Sequence, residues 1–426
     1  MSYTASVIIL NDIVPHPNAD RLNIARYNGE QFIIGKDIQV GDTVVIFPSD
    51  GQLSHEFCHF NNLYRHADKN HNPLKAGFFE DSRRVRAQPF RGVKSSGFLA
   101  TLDMFTFSGQ INLKAGDEFD EINGIKICNK YLTPKTLRAM NSNMQKKEKD
   151  VEYSLKEHVD SVKIAYRPPV INEPSLVIIT EKVHGTSGRS GVVEVTRKNK
   201  NVIQKILNKL FGLNFRYTQY EPVSGTRRTI INHRLDVTTE GQQDYYRWEI
   251  HNEIAPQLHK GESIYYEVVG WDSNGGTIMD RQNLGQLKNQ DEVSPTWSDP
   301  MIYSYGVPEG SRDVYVYRIT RATVDGTETE LPWFQVVQRC RELGLKTVPP
   351  LHQFIAQGED EVMNIVDGYM DNRSSTLDDR HLMEGIVVRI ENSEGTQFLK
   401  SKNDLFGILE GYLKEDENYV DVEETN

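Results

Sequence analysis

The sequence predicts an α+β chain in two parts, a small all-β N-terminal region and a larger region where apolar strands alternate with a few helices. Three observations carry this. Residues 5–130 hold short apolar runs broken by turn signals. Residues 141–160 are polar and strongly charged at their start, and the prolines Pro168, Pro169 and Pro174 follow them. From Leu176 to about residue 412, β-rich segments recur, and several end in a charged residue.

In chain order, Ala5–Leu10, Gln31–Ile34 and Thr43–Phe47 read as strands, with Gly41-Asp42 and Asp50-Gly51 as turns. Short strands with frequent turns suit a compact barrel. Residues 54–75 carry His55, His59, His66 and His71 and read as an inserted polar loop. His55, Cys58 and His59 form a weak metal motif, because a fourth ligand at zinc spacing is missing. Residues 141–165 form the linker, with a helix over Tyr153–Ile164. Residues 201–211 have helical apolar spacing through Val202, Ile203, Ile206, Leu207 and Leu210, and residues 333–343 also read as a helix. The tail after Leu413 is acidic and reads as frayed. The domain reading is therefore 1–140, a linker over 141–165, a second domain over 166–414 and a tail over 415–426.

The length of 426 residues allows two or three domains. No apolar run approaches a membrane span. Met1-Ser2-Tyr3-Thr4-Ala5 shows no secretory pattern. Three cysteines, far apart and odd in number, argue against a disulfide framework and fit a reducing, cytoplasmic setting. The net charge of −11 argues against a protein that coats nucleic acid. Residues 1–150 nevertheless hold 19 Lys+Arg against 17 Asp+Glu, so any nucleic acid would meet local basic strips.

The stretch Thr180-Glu181-Lys182-Val183-His184-Gly185-Thr186-Ser187 follows the apolar run Leu176–Ile179. A lysine at the end of a buried strand is poorly placed for packing and well placed for nucleophilic chemistry. Burial and nearby positive charge disfavour the ammonium form of such a lysine. Four segments downstream repeat the design. Glu267 lies within Ile264–Gly270, and Tyr317 lies in the aromatic strand Val314–Ile319. Glu384 opens Met383–Arg389, and Lys400 and Lys402 alternate on one face of Phe398–Lys402. Each alone is an ordinary strand edge; the ordered set is specific.

This order, over residues 176–405, resembles the covalent nucleotidyltransferase superfamily of polynucleotide ligases and mRNA capping enzymes. The resemblance implies a ligase-type nucleotidyltransferase domain of antiparallel sheets with flanking helices. It implies that Lys182 attacks an α-phosphate and becomes lysyl-NMP. It implies nucleotide contact for Glu181, His184, Gly185, Arg227, Glu267, Tyr317, Glu384, Lys400 and Lys402, with Lys400 and Lys402 also catalytic. Glu267 and Glu384 would hold Mg²⁺ or Mn²⁺, directly or through water. Arg227 and Arg228 share the local candidate motif, and Arg227 is preferred. Only 24 residues follow Lys402, too few for the C-terminal barrel of DNA ligases and capping enzymes. No segment matches the nicotinamide-nucleotide domain of NAD-dependent ligases, so ATP is the implied donor.

Lys-x-His-Gly is common among RNA ligases, whereas DNA ligases usually have Asp where His184 stands. His16-Pro17-Asn18-Ala19-Asp20-Arg21-Leu22 resembles the opening of OB-fold tRNA-binding domains. An OB-like β-barrel before the transferase resembles the ATP-dependent RNA ligases that seal nicked duplexes with RNA on the 3′-OH side. Members of that group often have Asp at the His184 position, so this chain departs from them there. The implied partner is RNA with 3′-OH and 5′-phosphate ends. Arg84, Arg86, Arg91 and Lys94 interleave with apolar residues and are the RNA-contact candidates, set against an ordinary basic strand face. The helix at 201–211, flanked by Arg197, Lys198, Lys200, Lys205 and Lys209, is a second such candidate, set against a solvated amphipathic helix. The rival readings are a DNA ligase or capping guanylyltransferase, and a non-enzymatic RNA-binding protein with an idle transferase domain.

Overall fold

The computed structural model describes residues 3–49, 51–132, 151–158, 161–165, 169–198, 216–287, 290–323 and 327–410. The helix predicted over 201–211 and the acidic tail over 415–426 lie outside the described residues. No helix among the described residues is long and apolar enough to cross a membrane.

In the N-terminal region, β1 (Ala5–Ile9), β2 (Asp12–Pro15), β3 (Leu22–Tyr27), β4 (Glu30–Gly35), β5 (Thr43–Pro48) and β6 (Gly51–Leu53) precede helix α1 (His55–Phe60). Then come β7 (Gln88–Phe90), β8 (Val93–Ser95), β9 (Gly97–Thr101), β10 (Glu118–Phe119), β11 (Glu121–Ile122), β12 (Ile125–Lys126) and β13 (Cys128–Lys130). They form a four-stranded sheet ordered β10-β1-β5-β9, a three-stranded sheet β2-β3-β4, and the ribbons β7-β8, β6-β13 and β11-β12. The described strands do not close into a ring, in contrast to the predicted barrel. The reason lies in β5. Val45 and Phe47 enter one core and Val44 and Ile46 another. A strand of period two buried on both faces sits between layers.

The region predicted as a polar loop over 54–75 begins as a helix. Ser54 caps α1, its Oγ accepting from Phe57 N at 3.1 Å. Phe57 and Cys58 are fully buried. Burial pushes the Cys58 thiol up to about 12, so it is a core side chain and a poor metal ligand. His55 Nδ1 bonds the Tyr64 hydroxyl at 2.8 Å and His59 Nδ1 the Lys69 carbonyl at 2.7 Å. The described residues contain no group of three or more His, Cys, Asp or Glu side chains able to hold a metal.

The helix predicted over Tyr153–Ile164 is absent from the described residues. β14 (Val151–Tyr153) instead pairs with Val195–Arg197, and β15 (Val162–Lys163) runs parallel to Leu399–Lys400. Sheet ladders take up the backbone groups that a helix would have used internally.

The second region contains β16 (Ser175–Glu181), β17 (Thr186–Lys198), β18 (Arg216–Thr226), β19 (Glu262–Gly270), β20 (Arg312–Ala322), β21 (Glu328–Glu330), β22 (Lys346–Thr347), β23 (Pro350–Ala356), β24 (Gly385–Asn392) and β25 (Gly395–Lys402). Its helices are α2 (Leu235–Thr238), α3 (Tyr246–Ile254), α4 (Trp333–Leu343), α5 (Glu359–Asp367) and α6 (Asp404–Leu409). One sheet runs β14-β17-β19-β20-β21, with β18 on β17 and β22 on β20; the other runs β15-β25-β24-β16-β23. Helix α4 matches the prediction over 333–343 and ends where Gly344 turns left-handed at φ 66°.

The apolar run before Lys182 is buried on both faces. Ile178 enters a core with Ile264, Val268 and Val316, while Val177 and Ile179 pack with Val362 and Val366 of α5. Ion pairs tie the regions together, among them Lys94 to Asp404 at the start of α6 and Glu30 to Lys163 on β15.

Candidate active site

Antiparallel register assembles the charged strand ends. β24 runs beside β16 with Ile386 opposite Glu181, which puts Gly385 and Glu384 next to Lys182. The Lys182 N–H donates to the Gly385 carbonyl at 2.9 Å. On the other flank of β24, Lys402 lies opposite Gly385 and Lys400 opposite Val387. The side chains then meet at Glu384, which is 2% exposed. Lys182 Nζ is 2.8 Å from its Oε2, and Lys402 Nζ is 2.7 Å from its Oε1. Burial works to raise the pKa of this carboxyl. The charges of Lys182 and Lys402, with His184, outweigh it and hold Glu384 well below the ordinary range.

The other sheet supplies the facing wall. Ser187 on β17 is opposite Glu267 on β19, and its Oγ donates to Glu267 Oε1 at 2.7 Å. Glu267 Oε2 is buried without a hydrogen-bond partner among the described residues. Burial raises the Glu267 pKa, opposed by the charge of Lys182. The turn between the two sheets is held closely. A Cβ on Gly185 would stand 2.6 Å from the Val268 carbonyl oxygen, so only glycine fits. Arg247 on α3 donates to Thr186 Oγ1 at 2.6 Å and to the Ser187 carbonyl at 3.2 Å.

His184 is buried, with its ring edge-on to Tyr303 and Phe406 at 4.7 and 4.9 Å. Its N–H donates to the Tyr305 hydroxyl at 2.5 Å. Its Nδ1 is 3.6 Å from Glu384 Oε2 and its Nε2 is 3.6 Å from Glu410. His184 thus backs Glu384 from behind. Glu181 points elsewhere: its carboxylate accepts from Ser375 Oγ at 2.5 Å and from Thr376 N at 2.9 Å. The structure does not bring the Glu181 side chain into the lysine cluster; it pins the loop preceding Glu384.

Tyr317 sits where the β19–β20 register shifts, between the pairs Tyr265–Arg318 and Tyr266–Val316. Its hydroxyl meets His158 Nδ1 at 2.9 Å, with the rings edge-on at 5.2 Å. His158 was not predicted. Burial, then the charges of Arg227, Arg318, Lys182 and Lys400, lower it to about 3, so it is neutral. Its N–H donates to the Arg227 carbonyl at 3.3 Å. One residue from the segment between the two regions therefore touches two predicted nucleotide contacts. The signal available in the sequence was slight: His158 is the one histidine in the linker 141–165.

Lys400 is lowered to about 7 by burial first, then by Lys182, Lys402, Lys130 and Arg227. Lys130 belongs to β13 of the N-terminal region, and no sequence signal marked it. Of the arginine pair, Arg227 is within electrostatic reach of Tyr317, Glu267 and Glu384. The arrangement is a buried carboxylate bridged by two lysines, amid further cations, opposite a carboxylate with one uncommitted oxygen. It can receive a polyphosphate and present an amine to it.

The RNA-contact candidates occupy different settings. Arg84 lies 4.7 Å over the Tyr131 ring, and Arg86 is 3.9 Å from Glu80. Arg91 is at the β7–β8 turn, where its Nη1 donates to the Asn18 carbonyl at 3.3 Å. Lys94 is paired with Asp404 across the two regions. The four do not form one continuous basic strip.

The family model described as RNA ligase matches residues 175–402. No curated protein matches the chain. Among solved structures, a Naegleria gruberi RNA ligase mutant with ATP and Mn is similar at TM-score 0.58 and 17% identity, covering 96% of this chain and 98% of that one. The Naegleria gruberi RNA ligase with PPi gives 0.57 and 16%, covering 95% and 97%. A further mutant of that ligase with AMP and Mn gives 0.58 and 15%, covering 94% and 97%. At such identities the likeness speaks for the fold. The family match spans the cluster from Lys182 to Lys402, and on it the chain belongs to the RNA ligase family.

Proposed function

We propose that the chain joins RNA 3′-OH and 5′-phosphate ends with ATP as co-substrate, through AMP carried on Lys182, and acts at nicks in duplexes. The observation that carries this reading is the Glu384 carboxylate held between Lys182 and Lys402. The similar Naegleria gruberi ligase structures with ATP, AMP, PPi and Mn support it.

In the first step the Lys182 amine attacks the α-phosphorus of ATP, a nitrogen–phosphorus bond forms, and pyrophosphate leaves. The reacting form is the free amine, so Lys182 leaves its contact with Glu384 and gives its ammonium proton to solvent before attack. AMP then passes to the RNA 5′-phosphate, and the 3′-OH displaces it to seal the strand. Each step is an in-line displacement at phosphorus, where positioning and charge neutralisation carry most of the rate. Lys400, Lys402 and Arg227 neutralise phosphate oxygens in this reading. Tyr317 stacks on the purine, and His158 holds its hydroxyl.

A divalent cation fits the site. Glu267 keeps a buried oxygen without a partner, and Mg²⁺ or Mn²⁺ takes carboxylate, phosphate and water oxygens. Glu267 and Glu384 would hold it, the remaining positions falling to phosphate and water. When bound, it neutralises charge on the phosphate oxygens. In the same reading residues 1–140 are an OB-like RNA-binding module, and 166–414 are the adenylyltransferase domain.

The test is a covalent-labelling and sealing assay. Label from α-labelled ATP should stay on the denatured chain, and Lys182→Ala should abolish it. Nicked duplexes with RNA 3′-OH ends should be sealed. No label from ATP, or sealing of DNA 3′-OH ends alone, would refute the proposal.

A further inference from the structure

The N-terminal region encloses a cavity of about 550 Å³, within the size range of small-ligand sites. Its walls are β4, the β7–β8 hairpin, β9 and the segment 76–86. Phe78, Phe90 and Phe98 supply aromatic surface, with the rings of Phe78 and Phe98 5.7 Å apart. Arg65, Arg84 and Arg86 face the same space, and Glu80 is the one acidic residue of the lining. Three guanidinium groups therefore oppose one carboxylate. Arg84 and Arg86 are steadied by Tyr131 and Glu80. Arg65 is exposed and has no ion pair among the described residues.

A purely apolar ligand has no use for the arginines, and a free phosphate has none for the phenylalanines. A nucleotide uses both: the base stacks on an aromatic face, and the phosphate takes guanidinium hydrogen bonds. We propose that this cavity holds one unstacked nucleotide of the RNA substrate. The inference rests on the RNA-joining reading above and adds a base-binding subsite to it. Its place in the fold supports it. The hairpin that forms one wall carries Lys94, whose partner Asp404 lies two residues beyond Lys402. The hairpin wall of the cavity and the chain just after Lys402 thus meet at one seam.

Nicked RNA duplexes carrying 2-aminopurine at successive positions beside the nick test this. With the full chain, fluorescence should change at one position above the others. Phe90→Ala should remove that change and weaken RNA binding ~10-fold, the size of one lost stacking contact. Arg65→Glu, at an exposed side chain that folding does not require, should weaken binding and lower the salt slope by about one counterion. The same response at every position, or unchanged binding in both variants with native melting curves, would overturn the cavity as a nucleotide site. So would an acidic peptide whose binding Arg65→Glu abolishes while the RNA response stays unmoved. ATP labelling of the wild-type chain in the same preparation separates the two proposals. Label without a positional response refutes the cavity alone. A positional response without label upholds the cavity and refutes the ligase reading.

Discussion

Binding of an uncleavable ATP analogue should draw a proton onto Lys400. Burial, then the charges of Lys182, Lys402, Lys130 and Arg227, lower this lysine to about 7. At pH 8 it is therefore ~10% protonated, since the pH lies about one unit above its pKa. A triphosphate set among these cations favours the ammonium form and restores the ordinary lysine value of about 10.4. Each mole bound at pH 8 then takes up ~0.9 proton, and at pH 6, where the group is already ~90% protonated, only ~0.1. Calorimetry with α,β-methylene ATP in buffers of differing ionisation enthalpy reads this number. Subtracting the value for Lys400→Met removes the protons that belong to the analogue. A difference near zero at both pH values, or one as large at pH 6 as at pH 8, would refute the reasoning.

The same group sets a stability trend in the ligand-free chain. The folded-state pKa of Lys400 is depressed, so below about pH 7 both folded and unfolded chains are charged there and the fold bears the full cost. Stability should rise from pH 7 towards the unfolded lysine range, as seen in melting temperatures of wild type against Lys400→Met. Glu384→Gln removes the charge between two ammonium groups; with those lysines partly exposed it should cost ~2–3 kcal/mol in denaturant unfolding and abolish covalent labelling. His158→Phe keeps a ring and loses the bond to Tyr317, which should raise KM for ATP ~5-fold, about one hydrogen bond, with little change in melting. Gly185→Ala drives a methyl group into the Val268 carbonyl and should cost ~1–3 kcal/mol, with loss of labelling.

Lys182, Glu267, Glu384, Lys400 and Lys402 stood out in the sequence only as an ordered set, since each alone reads as an ordinary strand edge. Their convergence was not legible. It depends on β24 lying between β16 and β25, a register set by contacts across some 200 residues of sequence, with Lys182 and Glu384 separated by 202. Glu181 shows the same limit from the other side. It neighbours Lys182 in sequence, but its partners Ser375 and Thr376 are 194 and 195 residues away, and they turn its carboxylate into a loop anchor. Strands form at Ala5–Ile9, Glu30–Gly35 and Thr43–Pro48 as expected, but the barrel expectation missed that β5 separates two cores. The helix expected over Tyr153–Ile164 yielded to sheet partners on β17 and β25, where tertiary pairing overrides local propensity. That same segment delivers His158 to the Tyr317 hydroxyl and the Arg227 carbonyl.

Locating the AMP is the most direct measurement of the central claim. After incubation with ATP and Mg²⁺ or Mn²⁺, digestion and mass spectrometry should find AMP on Lys182, through an acid-labile nitrogen–phosphorus bond. Addition of nicked RNA should discharge it as joined product forms. AMP on another residue, or a chain that seals RNA without ever carrying AMP, would contradict the account.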